Sequence, residues 1–316
     1  MGEILPAAST PQEVDSIRRD EARLQPGVRA ICARHGLLGR DIARFATGSL
    51  PVYAVGDALV LKLYPPCEQG LFETEADVLA LLAGRLPIPT PRLEATGALD
   101  GWSYVLMGRL GGRSLAEVWP EVPPAARERL AEALGECLAV LHTIDPGEVR
   151  AGRPDWAGFL RGQRERCVEQ QRARGLGAAW LEQIPGFLGS VALDPPVRGA
   201  LLHTEVMREH LLIGPDARGG LALSGLFDFE PAMVGAPEYE FASVGVFVSC
   251  GDAPLLRRLL RAYGYREGAL DRGLQRRFMA YALLHRYSNL RWYLERVPPR
   301  AGEDTLDDLA ARFWAV

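Results

Sequence analysis

The sequence predicts a two-lobed α+β fold, with a small antiparallel sheet and one helix followed by a larger, mainly helical lobe. Over the first 108 residues, short aliphatic and β-branched runs alternate with turn residues, which is the pattern of strands joined by hairpins. After Gly111 and Gly112, apolar residues recur mainly at helical spacing. We therefore predict an N-terminal lobe over residues 1–108, a C-terminal lobe over residues 109–316, and a hinge at the two glycines.

The elements of the N-terminal lobe follow from apolar spacing and from turn residues. Helical spacing begins at Val14 and reaches Arg34, although Pro26 must interrupt or restart the helix. Gly56 and Asp57 lie between two aliphatic runs, which is typical of a hairpin. The remaining predicted elements are strands over 42–45, 50–55, 58–64, 92–98 and 103–108 and a helix over 72–82, which prolines end.

The C-terminal lobe is predicted to be helical apart from one loop and one hairpin. In the loop, residues 201–213 place a polar centre between two apolar pairs. A turn and an apolar strand over 221–227 then bring Asp228 back beside His210. The predicted helical stretches of this lobe are 125–142, 155–190, 255–263, 274–292 and 306–314.

Composition and charge exclude several classes of protein. The 316 residues are 48% hydrophobic and 24% charged, with a formal net charge of −4, which is typical of a soluble globular protein. A nucleic-acid-binding protein would usually carry a basic balance, so we expect no nucleic-acid partner. No apolar run approaches the roughly 20 residues that a membrane helix needs, so we expect no membrane partner.

The cysteines indicate a reducing compartment. Five cysteines are scattered along the chain without the spacing of a metal site, which favours reduced thiols in a cytoplasmic protein. The start of the chain has no basic segment followed by an apolar core, so no signal peptide is expected. We expect a monomer or a homodimer.

Lys62 is the only lysine among 36 lysine and arginine residues, and it lies within the strand pattern Val60 to Tyr64. Lysine is a compact point charge, whereas arginine is a planar fork. A lysine on a strand that reaches a phosphate is a feature of phosphoryl-transfer enzymes. The alternative is a half-exposed strand lysine that has no role in chemistry.

Two later segments carry the other polar groups that phosphoryl transfer needs. The first reads His203-Thr204-Glu205, then four residues, then His210. The second, Phe227 to Glu230, returns Asp228 to the same place. Phosphoryl transfer requires a carboxylate near the attacking hydroxyl and metal ligands a few residues further along the chain.

Together these segments resemble the aminoglycoside phosphotransferase family, the antibiotic-kinase branch of the protein-kinase-like fold. The family loop reads His-Gly-Asp, four residues and Asn, where this chain has His203-Thr204-Glu205, four residues and His210. The resemblance runs from about residue 42 to the C-terminus. The segments VLKLY and VGAPEYE look most like hygromycin B phosphotransferases, and the histidine at the metal position is similar to the macrolide kinases.

The resemblance implies a role for each matching residue. Lys62 would contact the nucleotide phosphates and pair with Glu75 of the predicted helix. Glu205 would be the catalytic base, and His203 would hold the loop through hydrogen bonds. The other implied contacts are His210 and Asp228 with the metal ion, Gly48 and Ser49 with the phosphates, and Tyr104, Val105 and Met107 with the base.

The implied cosubstrate is ATP or GTP with Mg²⁺. His210 replaces the usual asparagine, and since imidazole suits softer ions than Mg²⁺, Mn²⁺ is the second candidate. Glu205 replaces the usual aspartate, and one extra methylene displaces its carboxylate by about an ångström, which can cost about 10²-fold in rate. A pseudokinase that binds nucleotide without transferring phosphate is therefore an alternative.

The expected reaction is transfer of the γ-phosphate to a hydroxyl of a small molecule, with a hygromycin-like aminoglycoside as first candidate. The acids after Asp228, chiefly Glu230 and Glu238, are expected to help bind a polycationic antibiotic. For Glu238, a solvated charge at a helix start is the alternative. A kinase of another metabolite or natural product remains a second functional class.

Overall fold

The computed structural model describes residues 4–8, 10–147, 149 and 152–316. The first part of the chain begins with two helices, and five strands and a third helix follow. These elements are α1 (Pro11–Ile17), α2 (Glu21–Arg34), β1 (Ile42–Arg44), β2 (Val52–Val55), β3 (Leu59–Tyr64), α3 (Gln69–Leu82), β4 (Leu93–Leu99) and β5 (Trp102–Gly108). The strands form one antiparallel sheet in the order β1-β2-β3-β5-β4, which confirms the predicted small sheet.

The two faces of this sheet pack against different helices, because successive side chains along a strand point to opposite faces. Leu61 and Leu63 of β3 are buried in one cluster with residues of α2. Lys62 and Tyr64 face the other way, toward α3, where both contact Glu75. The alternation of β3 therefore places Lys62 on the α3 side of the sheet.

The first predicted helix is two helices, and the expected break at Pro26 is wrong. The helix α1 ends at Ile17, and Asp20 caps α2 by accepting a hydrogen bond from the Arg23 N–H at 3.3 Å. Pro26 lies inside α2. A proline removes a single intrahelical donor, whereas a capping aspartate satisfies a free N–H group at a new helix start, so the cap decides where the break lies.

The second part of the chain is mainly helical, as predicted. Its elements are β6 (Arg113–Ser114), α4 (Leu115–Val118), α5 (Pro124–Thr143), α6 (Trp156–Ala173), α7 (Ala178–Leu181), α8 (Ile184–Gly189), β7 (Ala200–Leu202), β8 (Leu211–Pro215), β9 (Leu221–Leu226), β10 (Met233–Gly235), α9 (Phe241–Ser243), the π-helix Val244–Ser249, α10 (Ala253–Tyr263), α11 (Arg272–Leu284), α12 (Leu290–Arg296) and α13 (Leu306–Phe313). Single 3₁₀ turns lie at Pro66–Glu68, Trp119–Glu121, Arg208–His210, Pro237–Glu240 and Glu267–Ala269.

Two small antiparallel sheets of this part frame the loop that carries His203. One has the order β6-β8-β9 and the other pairs β7 with β10. Beneath them α5 packs on α10. A Cβ atom on Gly135 of α5 would lie 2.2 Å from the Leu259 carbonyl oxygen, so the close approach of these two helices depends on that glycine.

The helix predicted over 274–292 is also divided. The helix α11 ends at Leu284, and His285 has an extended backbone. Asn289 then caps α12 by accepting a hydrogen bond from the Trp292 N–H at 3.2 Å. A continuous helix was predicted because apolar residues continue across the break.

The strand β5 ends at Gly108, and β6 pairs with β8 of the second part. The division into lobes after residue 108 stays a prediction. Within the described part of the chain, no helix is both long and apolar enough to cross a membrane.

Candidate active site

Lys62 lies among three carboxylates. Its side chain is 4% exposed. Its Nζ atom is 2.9 Å from Oε2 of Glu75, 2.6 Å from Oδ1 of Asp228 and 2.5 Å from Oε2 of Glu230. Of the residues predicted from the sequence, Lys62, Glu75 and Asp228 thus meet at one point, although Asp228 lies 166 residues after Lys62 in the chain.

Glu75 connects three parts of this site. Its Oε2 atom accepts hydrogen bonds from the Tyr64 hydroxyl and Lys62, and its Oε1 atom accepts one from the Phe229 N–H at 3.2 Å. Glu75 is 1% exposed. A buried carboxylate that is fully hydrogen-bonded fixes the groups around it, so Glu75 holds both Lys62 and the segment that follows Asp228.

The charges in this cluster are unbalanced. Burial by itself would lower the pKa of the Lys62 ammonium, but the three carboxylates raise it well above its usual range. Burial opposes ionisation of Asp228. Its pKa is nevertheless held well below the usual range by the charge of Lys62, by a hydrogen bond from Glu230 and by the charge of His210. Burial and the neighbouring Asp228 raise the pKa of Glu230 well above its usual range, although Lys62 opposes them. The cluster therefore has more acid groups than Lys62 neutralises.

The donor set fits a divalent cation. Glu75, Asp228 and Glu230 each offer an oxygen, and these oxygens all lie within 4.8 Å of one another. Carboxylate oxygens are the ligands that Mg²⁺ prefers. Because Glu75 also holds the Tyr64 hydroxyl and the Phe229 N–H, Asp228 and Glu230 are the carboxylates better placed to hold an ion.

His210 lies beside Asp228 but outside the group of three carboxylates, and its role as a metal ligand stays a prediction. Its Nδ1 atom lies 2.7 Å from the Glu205 carbonyl oxygen, which can only accept, so Nδ1 carries a proton. Its Nε2 atom lies 3.2 Å from Oδ2 of Asp228. A histidine that ligates a metal is usually oriented by a hydrogen bond from its other nitrogen, and the Glu205 carbonyl has that position here.

His203 is occupied by the loop itself. The ring Nε2 atom donates to the Phe227 carbonyl oxygen at 2.9 Å, and Nδ1 accepts from the Glu205 N–H at 3.3 Å. Burial lowers the pKa of His203. With both ring nitrogens bonded to backbone, the geometry supports the structural role that the resemblance implies rather than a chemical one.

Thr204 has a backbone conformation that usually needs glycine. Its φ is 71°, a left-handed value that is strained for a β-branched residue. Three hydrogen bonds hold it: its N–H donates to Glu240 at 2.8 Å, its hydroxyl to the Pro231 carbonyl at 3.1 Å, and its carbonyl accepts from Nε2 of His285 at 3.1 Å. The chain therefore keeps the loop shape that a glycine would give and stabilises it by these contacts.

Glu240 is a site residue that sequence reasoning missed. Its carboxylate is 0% exposed and accepts the His203 N–H at 2.7 Å and the Thr204 N–H at 2.8 Å. His142 lies 3.4 Å from it. The position of Glu240 between two large apolar residues, Tyr239 and Phe241, was a signal of burial, but the run of acids suggested a solvated surface.

Glu205 follows Thr204 in this loop and is half-buried. Burial raises the pKa of its carboxyl above the usual range, against the opposing charges of His210 and Arg286. A raised pKa makes a carboxylate a better proton acceptor near neutral pH. The predicted catalytic base is thus partly buried beside the ligand cluster.

The residues of β5 that were predicted to contact the nucleotide lie on opposite faces of the sheet. Val105 pairs with Lys62 across β3 and β5, so Val105 and Met107 share the face of Lys62. Tyr104 faces the opposite side, where its hydroxyl lies 3.0 Å from Nε2 of His35. Alternation along β5 thus directs its side chain to the α2 side of the sheet, opposite to Lys62, and its contact with a base stays a prediction.

Gly48 and Ser49 lie in the exposed loop between β1 and β2. Gly48 has a φ of 114°, which a residue with a side chain rarely adopts. The Ser49 carbonyl accepts a hydrogen bond from Arg18 at 3.3 Å. Contact of this loop with phosphates stays a prediction.

The two acids expected to bind a polycation both have other partners. Glu230 is 7% exposed and its carboxylate contacts Lys62. Glu238 forms a two-pronged ion pair with Arg277, at 2.8 Å from Nε and 2.9 Å from Nη2. The sequence shows that acids follow Asp228, but not which arginine or lysine neutralises them.

Comparisons with known proteins agree with this geometry. The model of the phosphotransferase enzyme family matches residues 41–277. No curated protein sequence matches the chain. The structure is similar to the GDP complex of wild-type aminoglycoside 2'-phosphotransferase-IIIa, with a TM-score of 0.69 and 18% identity, covering 91% of this chain and 97% of that one.

Two further solved structures extend the likeness. The GDP and kanamycin complex of APH(2")-IIia has a TM-score of 0.68 and 18% identity, covering 87% of this chain and 96% of that one. Macrolide 2'-phosphotransferase MphH from Brachybacterium faecium has a TM-score of 0.57 and 19% identity, covering 87% and 98%. At such identities these likenesses show the fold. Because the family model matches well over half of its residues, the chain belongs to the phosphotransferase enzyme family, as an enzyme that transfers phosphoryl groups to hydroxyl groups.

Proposed function

We propose that this chain transfers the γ-phosphoryl group of ATP or GTP to a hydroxyl of a small molecule. One observation carries the proposal: Lys62, held by Glu75 at 2.9 Å, meets Asp228 at 2.6 Å, directly beside the loop of Glu205 and His210. A cation on a strand, a metal-binding carboxylate and a catalytic-loop carboxylate are the parts that phosphoryl transfer uses.

Each residue has a defined task in the proposed reaction. Lys62 leaves Asp228 and Glu230 to bind the nucleotide phosphates, while Glu75 keeps its ammonium group in place. Asp228 and Glu230, with Nε2 of His210, hold Mg²⁺ or Mn²⁺. The ion, when bound, neutralises the charge of the phosphate oxygens. Further proposed contacts are Gly48 and Ser49 over the phosphates, and Val105 and Met107 at the base.

Glu205 is the proposed proton acceptor. Its carboxylate orients the acceptor hydroxyl and takes its proton as the oxygen attacks the γ-phosphorus. The bond from that phosphorus to the bridging oxygen breaks, and the nucleoside diphosphate leaves with the electron pair. Because the transition state for this transfer is loose, the base contributes less than the positioning and charge neutralisation of the phosphates, so a glutamate can act in place of aspartate.

Two acceptor classes enter the proposal. The sequence favours an aminoglycoside of the hygromycin kind, and one structural neighbour is a complex with kanamycin. Another neighbour is a macrolide 2'-phosphotransferase, and the chain shares with macrolide kinases a histidine at the metal position. The kinase of another metabolite remains the alternative, and a panel of hydroxylated acceptors with labelled ATP and GTP distinguishes these classes.

The first prediction concerns Asp228. The variant Asp228→Asn lacks the negative charge that faces both Lys62 and the proposed metal position. Phosphate transfer is therefore expected to be abolished. The measurement is release of labelled product with ATP or GTP in the presence of Mg²⁺ and, separately, Mn²⁺. Unchanged turnover would refute the metal-binding role of Asp228.

The matched control for this variant is Asp216→Asn. Asp216 lies in the exposed turn between β8 and β9, where it accepts hydrogen bonds from the Arg218 and Gly220 N–H groups at 2.7 Å, and its replacement should leave transfer intact. Wild-type protein that is stabilised by nucleotide but transfers phosphate to no acceptor would favour the pseudokinase alternative.

A further inference from the structure

We propose that Arg18, directly after α1, is a nucleotide-binding residue that exchanges an ion pair with Asp15 for one with the nucleotide phosphates. The inference rests on the proposed function, since it takes the loop of residues 45–51, between β1 and β2, as the segment that covers the phosphates. Arg18 precedes residues 41–277, which match the family model, so the family pattern gives it no role.

The pairing of the strands places this loop at the same end of the sheet as Lys62. Val52, the first residue of β2, pairs with Lys62 of β3, and the Pro51 carbonyl oxygen accepts a hydrogen bond from the Leu63 N–H at 3.0 Å. The chain leaves β3 at this end and forms the turn that contains Glu68. Phosphates bound by Lys62 would therefore meet the loop at this end of the sheet.

The junction between α1 and α2 is fixed to both strands that carry the loop. Arg44, the last residue of β1, pairs with Tyr53 of β2. The Arg44 guanidinium donates to the Arg18 carbonyl oxygen and, at 3.1 Å, to Oε2 of Glu21. The Tyr53 hydroxyl donates to the same Glu21 oxygen at 3.0 Å. The backbone of Arg18 is thus held beside the loop without help from its own side chain.

The Arg18 side chain contacts the loop that the proposal places over the phosphates. Its Nη1 atom donates to the Ser49 carbonyl oxygen at 3.3 Å, and its Nη2 atom lies 3.0 Å from Oδ1 of Asp15. Its Nε atom is buried and makes no hydrogen bond within the described part of the chain. Because a guanidinium has five N–H donors, Arg18 can bind a further acceptor while it holds the loop.

The ion pair with Asp15 is weak enough to be replaced. The side chains of Arg18 and Asp15 are 31% and 66% exposed, and ion pairs between exposed side chains contribute little to stability. Phosphate oxygens accept two parallel hydrogen bonds from a guanidinium, and such charged bonds are stronger than neutral ones. Nucleotide binding is therefore expected to draw the guanidinium from Asp15 to a phosphate.

The charges at this end of the sheet favour a second cation. Lys62 is already surrounded by three carboxylates, which repel a triphosphate. Burial raises the pKa of Glu68, and the positive charges of Arg18 and Lys62 both oppose that rise. Since the two cations act on one carboxylate, they are close enough to act on one triphosphate, and Arg18 offsets part of the repulsion from the acids.

The experiment compares binding of a triphosphate, ATP or GTP, with binding of the corresponding nucleoside, by calorimetry on the full chain with Mg²⁺. Arg18→Gln is expected to raise the Kd of the triphosphate about tenfold, the size of effect that loss of one charged hydrogen-bonding partner gives. The Kd of the nucleoside should stay within about twofold of wild type, because it has no phosphate for Arg18 to bind.

Three further variants separate phosphate binding from a purely structural role. Arg18→Lys keeps the charge but not the planar fork, so part of the lost affinity should return. Asp15→Asn removes the competing carboxylate, and the Kd of the triphosphate should fall about twofold, as the loss of a weak pair implies. Arg19→Gln removes an exposed positive charge at the next position and is the control that should leave both Kd values unchanged.

Two results would overturn the inference while leaving the proposed function in place. One is a wild-type Kd of the triphosphate in Arg18→Gln. The other is an equal loss of affinity for triphosphate and nucleoside, which would show that Arg18 only supports the fold. If the wild-type chain binds no nucleotide and transfers phosphate to no acceptor, the proposed function itself fails, so the two failures are distinguishable.

Discussion

At Lys62, three carboxylates face a single buried ammonium group. Removing that group in Lys62→Ala would leave Glu75, Asp228 and Glu230 together without their counter-charge. Losing one partner of a buried ion pair typically costs 3–5 kcal/mol, so we expect the free energy of unfolding to fall by about 3 kcal/mol, in addition to a loss of transfer of roughly 10²–10³-fold. Urea denaturation and a transfer assay measure the two effects separately.

The double variant Lys62→Ala with Glu230→Gln is the control for this prediction. It removes one negative charge from the cluster, so part of the lost stability should return while transfer stays low. If Lys62→Ala alone kept full activity, the phosphate-binding role of the lone lysine would be wrong.

For single residues, the sequence shows which residues form the site better than it shows which way their side chains point. Lys62 and Asp228 were predictable from the strand and hairpin patterns that carry them, and Glu75 from the resemblance to the aminoglycoside phosphotransferase family. The side of the sheet that Tyr104 faces was not, since both faces of β5 are buried and no polar alternation marks them. The contact of Glu230 with Lys62 was not predictable for a related reason. An acidic residue two positions after Asp228 looks the same in the sequence whether its carboxylate lines an open cleft or is buried against a lysine.

At the scale of elements, the loop of His203 depends on a short segment that follows β10. Glu240, which accepts two backbone N–H groups of this loop, is expected to position Glu205 and His210. In Glu240→Gln one carboxylate oxygen becomes an NH₂ group that faces a donor. A displacement of the loop by about 1 Å can cost about 10²-fold in rate, so kcat should fall by about that factor while the nucleotide Kd changes little.

Glu238→Gln is the matched control, two residues earlier in the same segment. Glu238 pairs with Arg277 near the surface, and its loss should leave kcat within a fewfold of wild type, as expected for partly exposed pairs. A kcat for Glu240→Gln close to that of Glu238→Gln would contradict the positioning role.

Several elements were predicted with the right type but with the wrong ends. The five strands and the main helices follow from apolar periodicity. The breaks before α2 and between α11 and α12 were misplaced or missed, because the capping side chains of Asp20 and Asn289 end an apolar pattern without changing its period. The second break places Tyr287 and Trp292 close to Glu205.

For the whole molecule, His285 links stability to pH. Its Nε2 atom donates to the Thr204 carbonyl at 3.1 Å and its Nδ1 atom accepts from the Tyr287 N–H at 3.2 Å, so the buried ring is neutral. Burial first, then the charge of Arg286, lowers its pKa from 6.5 to about 4. As pH falls below 6.5, the unfolded chain takes up a proton that the folded chain refuses. Stability is therefore lost between pH 6.5 and 4, by about 3 kcal/mol in all.

Urea denaturation of the wild-type chain and of His285→Gln across pH 7.5 to 4.5 checks this expectation. Glutamine can donate to Thr204 and accept from Tyr287 but does not titrate, so its loss of stability on acidification should be smaller by about 2 kcal/mol. Parallel curves for the two proteins would show that His285 is not the linked group.

The rarity of lysine in this chain has a consequence for chemical labelling. Lys62 carries the only side-chain amine in the sequence, so an acylating reagent has one side-chain target, and that target lies in the proposed nucleotide site. With 4% of its surface exposed and its ammonium bound by carboxylates, the resting protein should react slowly. An amine-reactive nucleotide analogue would bring its own electrophile to the same nitrogen, and a single mass shift would report occupancy of the site.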